Sequence, residues 1–308
     1  MAYLLSGTHP GLVDEHTIAS ARVDMCEDAH TRKISLILRS DSTSPNSKPP
    51  LALIDASFEG QAALGTGVSA AILRRVARGD LPATMRIHRT GRSLAFGRID
   101  RLAPGYPRAL EIAREQGYEP VERMAGGRAA VFHEGTIAFS RASRESSLHA
   151  GTRDRFEGMA TTIAGALQRM GLDARVGEVA GEYCPGEWSI NWGGRRKLAG
   201  IGQRVVAGGA HVGGVLVLRD EQAIRDVLVP VYEALGLEWD PATAGSIAEA
   251  LGSPAPRPGE DDPLLAELKG ALRAELAERF EVRDAFIDPE TIRLAEELRA
   301  FHTPKPRR

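Results

Sequence analysis

Only two of the 308 residues are cysteine, Cys26 and Cys184, and they form neither a CxxC pair nor a disulfide framework. That excludes a cysteine-stapled secreted scaffold and points to a reducing compartment, the cytoplasm. Aromatic residues are scarce, at 5% of the chain. An excess of one charge is also missing: 39 basic against 41 acidic side chains leave a formal net charge of −2. The chain therefore lacks the electrostatic footprint of a general nucleic-acid binder. No apolar run approaches the ~18–20 residues of a membrane span, and the first ten residues lack the basic-then-apolar pattern of a secretion signal. The eight histidines fall at no HxxxH, HExxH or cysteine-paired spacing, so no metal site is expected.

What the chain does have is 43% hydrophobic residues, enough for a sizeable core. Residues 1–50 show weak periodicity and end in Ser42-Thr43-Ser44-Pro45-Asn46-Ser47-Lys48-Pro49-Pro50, a linker composition. They read as a poorly ordered extension, with residues 33–38 as a candidate strand. From residue 51 the pattern is regular. Helical periodicity covers 62–77, 106–116 and 155–170, and short strands fall at 85–88, 94–98, 121–124, 129–133 and 136–141. A dense strand region fills 174–218. After residue 220 only helical patterns remain, at 223–235, 244–251, 264–280 and 289–301. The expectation is an α+β fold: a mixed β-sheet with flanking helices over residues 51–220, then a helical C-terminal extension over 221–308.

Three motifs bear on chemistry. Gly65-Thr66-Gly67-Val68-Ser69-Ala70 matches GxGxxA, but it sits inside a helical apolar pattern with no strand before it and no acidic strand end after it, so a dinucleotide site is not expected. Arg123-Met124-Ala125-Gly126-Gly127-Arg128 runs from one strand into another through paired glycines, which let backbone N–H groups approach an anion. Glu182-Tyr183-Cys184-Pro185-Gly186 holds a lone cysteine in a turn, and Lys197 on the next strand is placed to approach it. A thiol beside an ammonium is a candidate nucleophile.

In this order, Arg92-Ser93-Leu94-Ala95-Phe96-Gly97-Arg98, Gly126-Gly127-Arg128-Ala129-Ala130-Val131-Phe132-His133 and Lys197-Leu198-Ala199-Gly200-Ile201-Gly202-Gln203 resemble the superfamily of lipoate-protein ligases, octanoyltransferases and biotin-protein ligases. Tyr183-Cys184-Pro185-Gly186 followed by Lys-x-x-Gly-Ile-x-Gln looks most like its amidotransferase branch. The resemblance implies a catalytic domain that moves an octanoyl or lipoyl group onto a lysine of a lipoyl carrier domain, of the glycine-cleavage H-protein or 2-oxoacid dehydrogenase E2 type. It implies Cys184 as the thioester-forming nucleophile and Lys197 beside the acyl carbonyl. Arg123, Gly126, Gly127, His133, Gly200 and Gln203 would bind substrate, with His133 as a candidate base. No cofactor is then required; ATP and Mg enter only under the alternatives' ligase chemistry, where Lys197 holds an acyl-adenylate. A non-catalytic binder of lipoyl domains is the other alternative. Two departures stand out: Ser189 occupies a position where the branch has an acidic residue, and the Cys184-to-Lys197 spacing is about one residue longer than the branch implies, with the excess expected at residues 193–196.

Overall fold

The computed structural model describes residues 47–147, 151–257 and 259–304. The N-terminal extension up to residue 46, with its candidate strand and Cys26, lies outside the described residues. From Lys48 onward the chain forms one compact unit. Its elements are β1 (Pro50–Asp55), α1 (Ala62–Arg78), β2 (Thr84–His88), β3 (Ser93–Phe96), α2 (Tyr106–Glu115), β4 (Glu119–Glu122), β5 (Ala130–Phe132), β6 (Thr136–Arg144) and α3 (Thr152–Arg169). There follow β7 (Ala174–Val176), β8 (Ile190–Trp192), β9 (Arg196–Val206), β10 (Gly209–Val217), α4 (Glu221–Leu235), α5 (Ile247–Leu251), α6 (Pro263–Arg279), β11 (Glu281–Asp284) and α7 (Pro289–Arg299).

The strands form an eight-stranded mixed sheet, ordered β11-β1-β2-β6-β10-β9-β8-β7, and a separate three-stranded sheet, ordered β4-β3-β5. This is the α+β architecture expected from the sequence. In the large sheet β1 is parallel to both β2 and β11, and the pairings from β2 to β7 are antiparallel. One face is apolar. Leu51, Met85, Ile137 and Phe139 pack there against Ile163 and Leu167 of α3 and Leu268 and Leu272 of α6. A leucine every fourth residue from Leu264 to Leu276 gives α6 its buried stripe. Asp262 caps α6 by accepting from the Leu264 N–H, and Pro263 occupies its first position.

On the opposite face α1 packs its Leu64, Val68 and Ile72 against α7 residues Ala295 and Leu298. Gly79 ends α1 in the left-handed region, φ 88°, where its N–H and that of Asp80 reach back to the last turn. The GxGxxA match lies wholly within α1. Its second glycine, Gly67, faces α7, where a Cβ would stand 2.6 Å from the Ala295 carbonyl oxygen. It is a helix-packing glycine. The small sheet stands apart, backed by α2 and α4 through Leu94, Phe96, Val131, Leu110 and Leu228.

The segment after residue 220 is not helical alone. β11 adds a strand to the edge of the large sheet by pairing with β1. Its sequence, Glu-Val-Arg-Asp, carries three charged residues and only Val282 is half-buried. An edge strand with that composition has no apolar alternation to betray it.

Candidate active site

Alternation along the central strands decides what the second face of the large sheet presents. Cross-strand partners fall in rows: Gly200, Val215, Ala138 and His88 form one, and Gly202, Gly213, Ser140 and Arg86 the next. Glycine and alanine leave this floor low, and the small sheet roofs it with Ala95, Val121, Ala130 and Phe132. Between them lies a cavity of about 410 Å³.

Cys184 opens onto this cavity. It is a free thiol, partly exposed, in a left-handed backbone conformation (φ 44°) that a non-glycine residue adopts at a cost. Four groups fix it. Its N–H donates to the Tyr232 hydroxyl at 2.9 Å, and that hydroxyl donates to the Ala129 carbonyl at 3.0 Å. Burial pushes the Tyr232 phenol well above its ordinary range, so it stays a neutral clasp. Its sulfur accepts the Arg128 N–H at 3.1 Å and lies 3.8 Å from the Arg123 guanidinium, which donates to the Arg128 carbonyl at 2.9 Å. A Cβ on Gly127, φ +112°, would come within 2.9 Å of the sulfur, so the paired-glycine loop lies directly against the thiol. Gly97 matters for the same reason: a Cβ there would strike the Gly127 carbonyl at 1.7 Å. Next to it, Asp100 accepts from the Gly97 N–H and pairs with Arg128 at 3.3 Å. Burial pushes the Asp100 carboxyl up, against the pull of those donors.

Lys197 is fully buried, and all three of its donors are used. They go to Glu182 Oε1 at 2.9 Å, the Tyr183 carbonyl at 2.9 Å and the Cys184 carbonyl at 2.8 Å. The ammonium thus grips the backbone of the cysteine turn, and the groups that reach the sulfur itself are Arg128 and Arg123. Glu182 is also buried and accepts from Ser189 Oγ at 2.5 Å and from the N–H groups of Gly186 and Val179, both at 3.1 Å. The acidic partner of the lysine therefore stands seven residues before Ser189, and Ser189 serves it as a donor. The β9 ladder is irregular at Leu198, just after Lys197. Ile190 pairs with Ala199 and Asn191 with Lys197, so Leu198 is bulged out and Lys197 turns to the same face as Gly200.

Of the other residues singled out in the sequence, Arg123, Gly126, Gly127, Gly200 and Gln203 line the cavity with Cys184 and Lys197. Gln203 is held by the Arg155 guanidinium at 3.1 Å. His133 is not among the lining residues. It lies in the turn between β5 and β6, buried, with Nδ1 accepting the Gly135 N–H at 3.0 Å, and burial pushes it below the usual histidine range. This candidate base for the incoming lysine therefore does not border the cavity. The sequence reading missed Glu182, Tyr232, His88, His211 and the Phe156–Trp188 stack, whose rings lie 6.3 Å apart on the cavity wall. Polar alternation at Thr84, Arg86 and His88 on β2 was the available signal for His88.

The catalytic-domain profile of lipoyl protein ligases A and B matches residues 63–255 of this chain. The chain belongs to that family. Among curated relatives, this family member is 28% identical over 218 residues to the octanoyl-GcvH:protein N-octanoyltransferase of Geobacillus kaustophilus, covering 67% of this chain and 77% of that one. The Listeria monocytogenes lipoyl-GcvH:protein N-lipoyltransferase is 27% identical over 148 residues, covering 48% of this chain and 53% of that protein. Solved lipoyl ligases share the fold. Lipoate-protein ligase A bound with ATP superposes with a TM-score of 0.60 at 18% identity, covering 82% of this chain and 94% of that one. The bi-partite lipoate protein ligase of Thermoplasma acidophilum, solved in a study with its E2 lipoyl domain, gives 0.61 at 17% identity over 82% and 92%. Among the described residues, no helix is long and apolar enough to cross a membrane.

Proposed function

We propose that this protein is an acyltransferase that carries an octanoyl or lipoyl group on Cys184 and delivers it to a lysine of a lipoyl carrier domain. The observation that carries this reading is the Cys184 sulfur: a free thiol at a cavity, held by the Arg128 N–H and faced by the Arg123 guanidinium. In the first half-reaction the thiolate attacks the carbonyl of an acyl-lysine amide. The C–N bond breaks, the lysine amine leaves after taking a proton from solvent, and a thioester remains. In the second, the neutral amine of the acceptor lysine attacks the thioester, the C–S bond breaks and the thiolate returns. The proton lost by the incoming amine leaves the site, so atoms and charge balance. The donors nearest the sulfur, the Arg128 N–H and the Arg123 guanidinium, are placed to meet the oxyanion of both tetrahedral intermediates. Lys197 acts through the turn: with Glu182 it fixes the Tyr183 and Cys184 carbonyls and so the direction of the thiol.

A thioester is already activated toward an amine, so no ATP or metal ion enters this route. Carrier domains of the glycine-cleavage H-protein and dehydrogenase E2 types are the partners, which the GcvH-linked names of the relatives support. The reactive thiol must stay reduced, which suits the cytoplasm. Intact-protein mass spectrometry with an octanoylated carrier domain and an unmodified acceptor, without ATP, tests the proposal. A hydroxylamine-labile adduct that is absent from Cys184→Ala, together with acyl transfer to the acceptor, is expected. Modification that occurs only after free lipoate and ATP are added would make the protein a ligase and overturn the reading.

A further inference from the structure

The segment that follows α7 reaches back to the strand that carries Arg123. β4 is an outer strand of the small sheet that roofs the cavity. The Arg123 N–H goes to the Phe96 carbonyl on β3, which leaves the N–H and C=O of Glu122 on the outer side. His302 meets both. Its carbonyl accepts the Glu122 N–H at 2.8 Å, and its Nδ1 lies 2.9 Å from the Glu122 carbonyl oxygen. A carbonyl only accepts, so Nδ1 carries the proton. The side chain is buried, and burial pushes the ring below the usual histidine range, so it is neutral. His302 is itself anchored, donating its N–H to the Arg299 carbonyl at the end of α7, and α7 is packed on α1. At its other end β4 is tied to α1 by Glu119, whose carboxylate accepts the Ala62 and Ala63 N–H groups at 3.0 and 3.3 Å. The roof strand is thus clamped at both ends to the α1–α7 layer.

The clamp bears on the chemistry because the next residue is Arg123, whose guanidinium lies 3.8 Å from the Cys184 sulfur and donates to the Arg128 carbonyl. The room for it is narrow. A Cβ on Gly127 would come within 2.9 Å of one guanidinium nitrogen, and a Cβ on Gly202 within 3.2 Å of another. A small shift of the Glu122–Arg123 peptide would therefore take the guanidinium out of its slot between the glycine loop and the cavity floor. Resting on the acyl-transfer reading above, we infer that His302 is a positioning residue for acyl transfer: from beyond the matched family region, residues 63–255, it holds the Glu122 peptide and so aims Arg123 at the Cys184 sulfur.

The experiment reads two rates on the full chain. One is alkylation of Cys184 by iodoacetamide, followed by peptide mass spectrometry so that Cys26 is counted separately. The other is acylation of Cys184 from an octanoylated carrier domain at varied concentration. Both are measured for the unsubstituted protein, His302→Leu, His302→Gln and His302→Asn, each with and without Arg123→Met. An Asn amide nitrogen stands where the His Nδ1 stood, whereas the Gln amide nitrogen stands at the Nε2 position. His302→Leu and His302→Gln are expected to slow both reactions roughly 3–10-fold with the KM for the carrier unchanged, and His302→Asn to stay within about twofold of the unsubstituted protein. In the Arg123→Met background the His302 substitutions should have no further effect. Equal rates across the His302 series, equal losses in His302→Asn and His302→Gln, a loss confined to KM, or losses that persist in Arg123→Met overturn the inference; acylation of Cys184 in the same samples leaves the transferase standing. Alkylation that depends on His302 and Arg123, without any acyl adduct, supports the positioning and removes the transferase reading. The comparison of His302→Asn with His302→Gln decides the matter even if His302→Leu does not fold.

Discussion

Lys197 shows how one residue can join stability to chemistry. Its ammonium and the Glu182 carboxylate are both buried, and two backbone carbonyls complete the cage. Lys197→Ala would leave a buried carboxylate without its counter-charge, a loss of ~3–5 kcal/mol. We expect that variant to unfold at lower urea concentration and to form no thioester. Lys197→Met combined with Glu182→Gln removes both charges and is expected to recover most of the stability, because an isosteric neutral pair avoids the orphaned ion. Thioester formation should remain low in the double variant, since the Cys184 carbonyl has lost its donor. Denaturation midpoints read beside the rate of Cys184 acylation separate the two effects; a double variant with full acylation rate would mean the clasp does not aim the thiol.

Elements were legible where local pattern and tertiary need agree. The spacing of apolar residues placed α1 within a residue of its observed span, Ala62–Arg78, and Gly79 ended it as its left-handed geometry requires. The cysteine turn and the lysine strand were legible because their residue types are unusual together. Glu182 was not, because nothing local distinguishes it from other acids; it becomes a partner only once β9 folds back and the bulge at Leu198 turns Lys197 toward it. His88 was hidden for a related reason, since β2, β6, β10 and β9 must pair before it shares a cavity with Cys184. Two helical glycines make opposite predictions from one chemistry. Gly270 on α6 has nothing within 4 Å of an added Cβ, so Gly270→Ala should stabilise by up to ~1 kcal/mol through helix propensity. Gly67 presses on the Ala295 carbonyl, so Gly67→Ala should push α7 away and destabilise by ~1–3 kcal/mol despite the same propensity gain. Thermal midpoints of the two variants, moving in opposite directions, are the check; a shift of the same sign in both would mean the α1–α7 contact is loose.

For the molecule as a whole, pH acts through histidines kept neutral by burial. His88, His133, His211 and His302 are all pushed down, His211 to about 3. In the unfolded chain each titrates near ~6.5. Below that pH the unfolded state binds protons that the native state refuses, so unfolding takes up protons and stability falls as pH drops. Their contribution is complete above ~6.5 and is lost toward the depressed native values, at up to ~1.4 kcal/mol per pH unit for each fully buried ring. Urea midpoints should be flat between pH 8 and 7 and decline between pH 6 and 5, with a shallower decline in His211→Gln. An unchanged slope in that variant would assign the acid sensitivity elsewhere.

The edge strand β11 gives the molecule a schedule as well as a shape. Residues 281–284 pair with residues 50–53, so the first strand of the described fold finds its outer neighbour only when the chain has been made out to residue 284. α7, which α1 needs as a packing partner, arrives later still. A ribosome that has produced everything in the matched family region, up to residue 255, has encoded Cys184, Lys197 and the glycine loop, yet leaves β1 with a bare edge and α1 with an uncovered face. A chain made only that far holds all of these reactive groups without the strand that closes the β1 edge or the helix that covers α1.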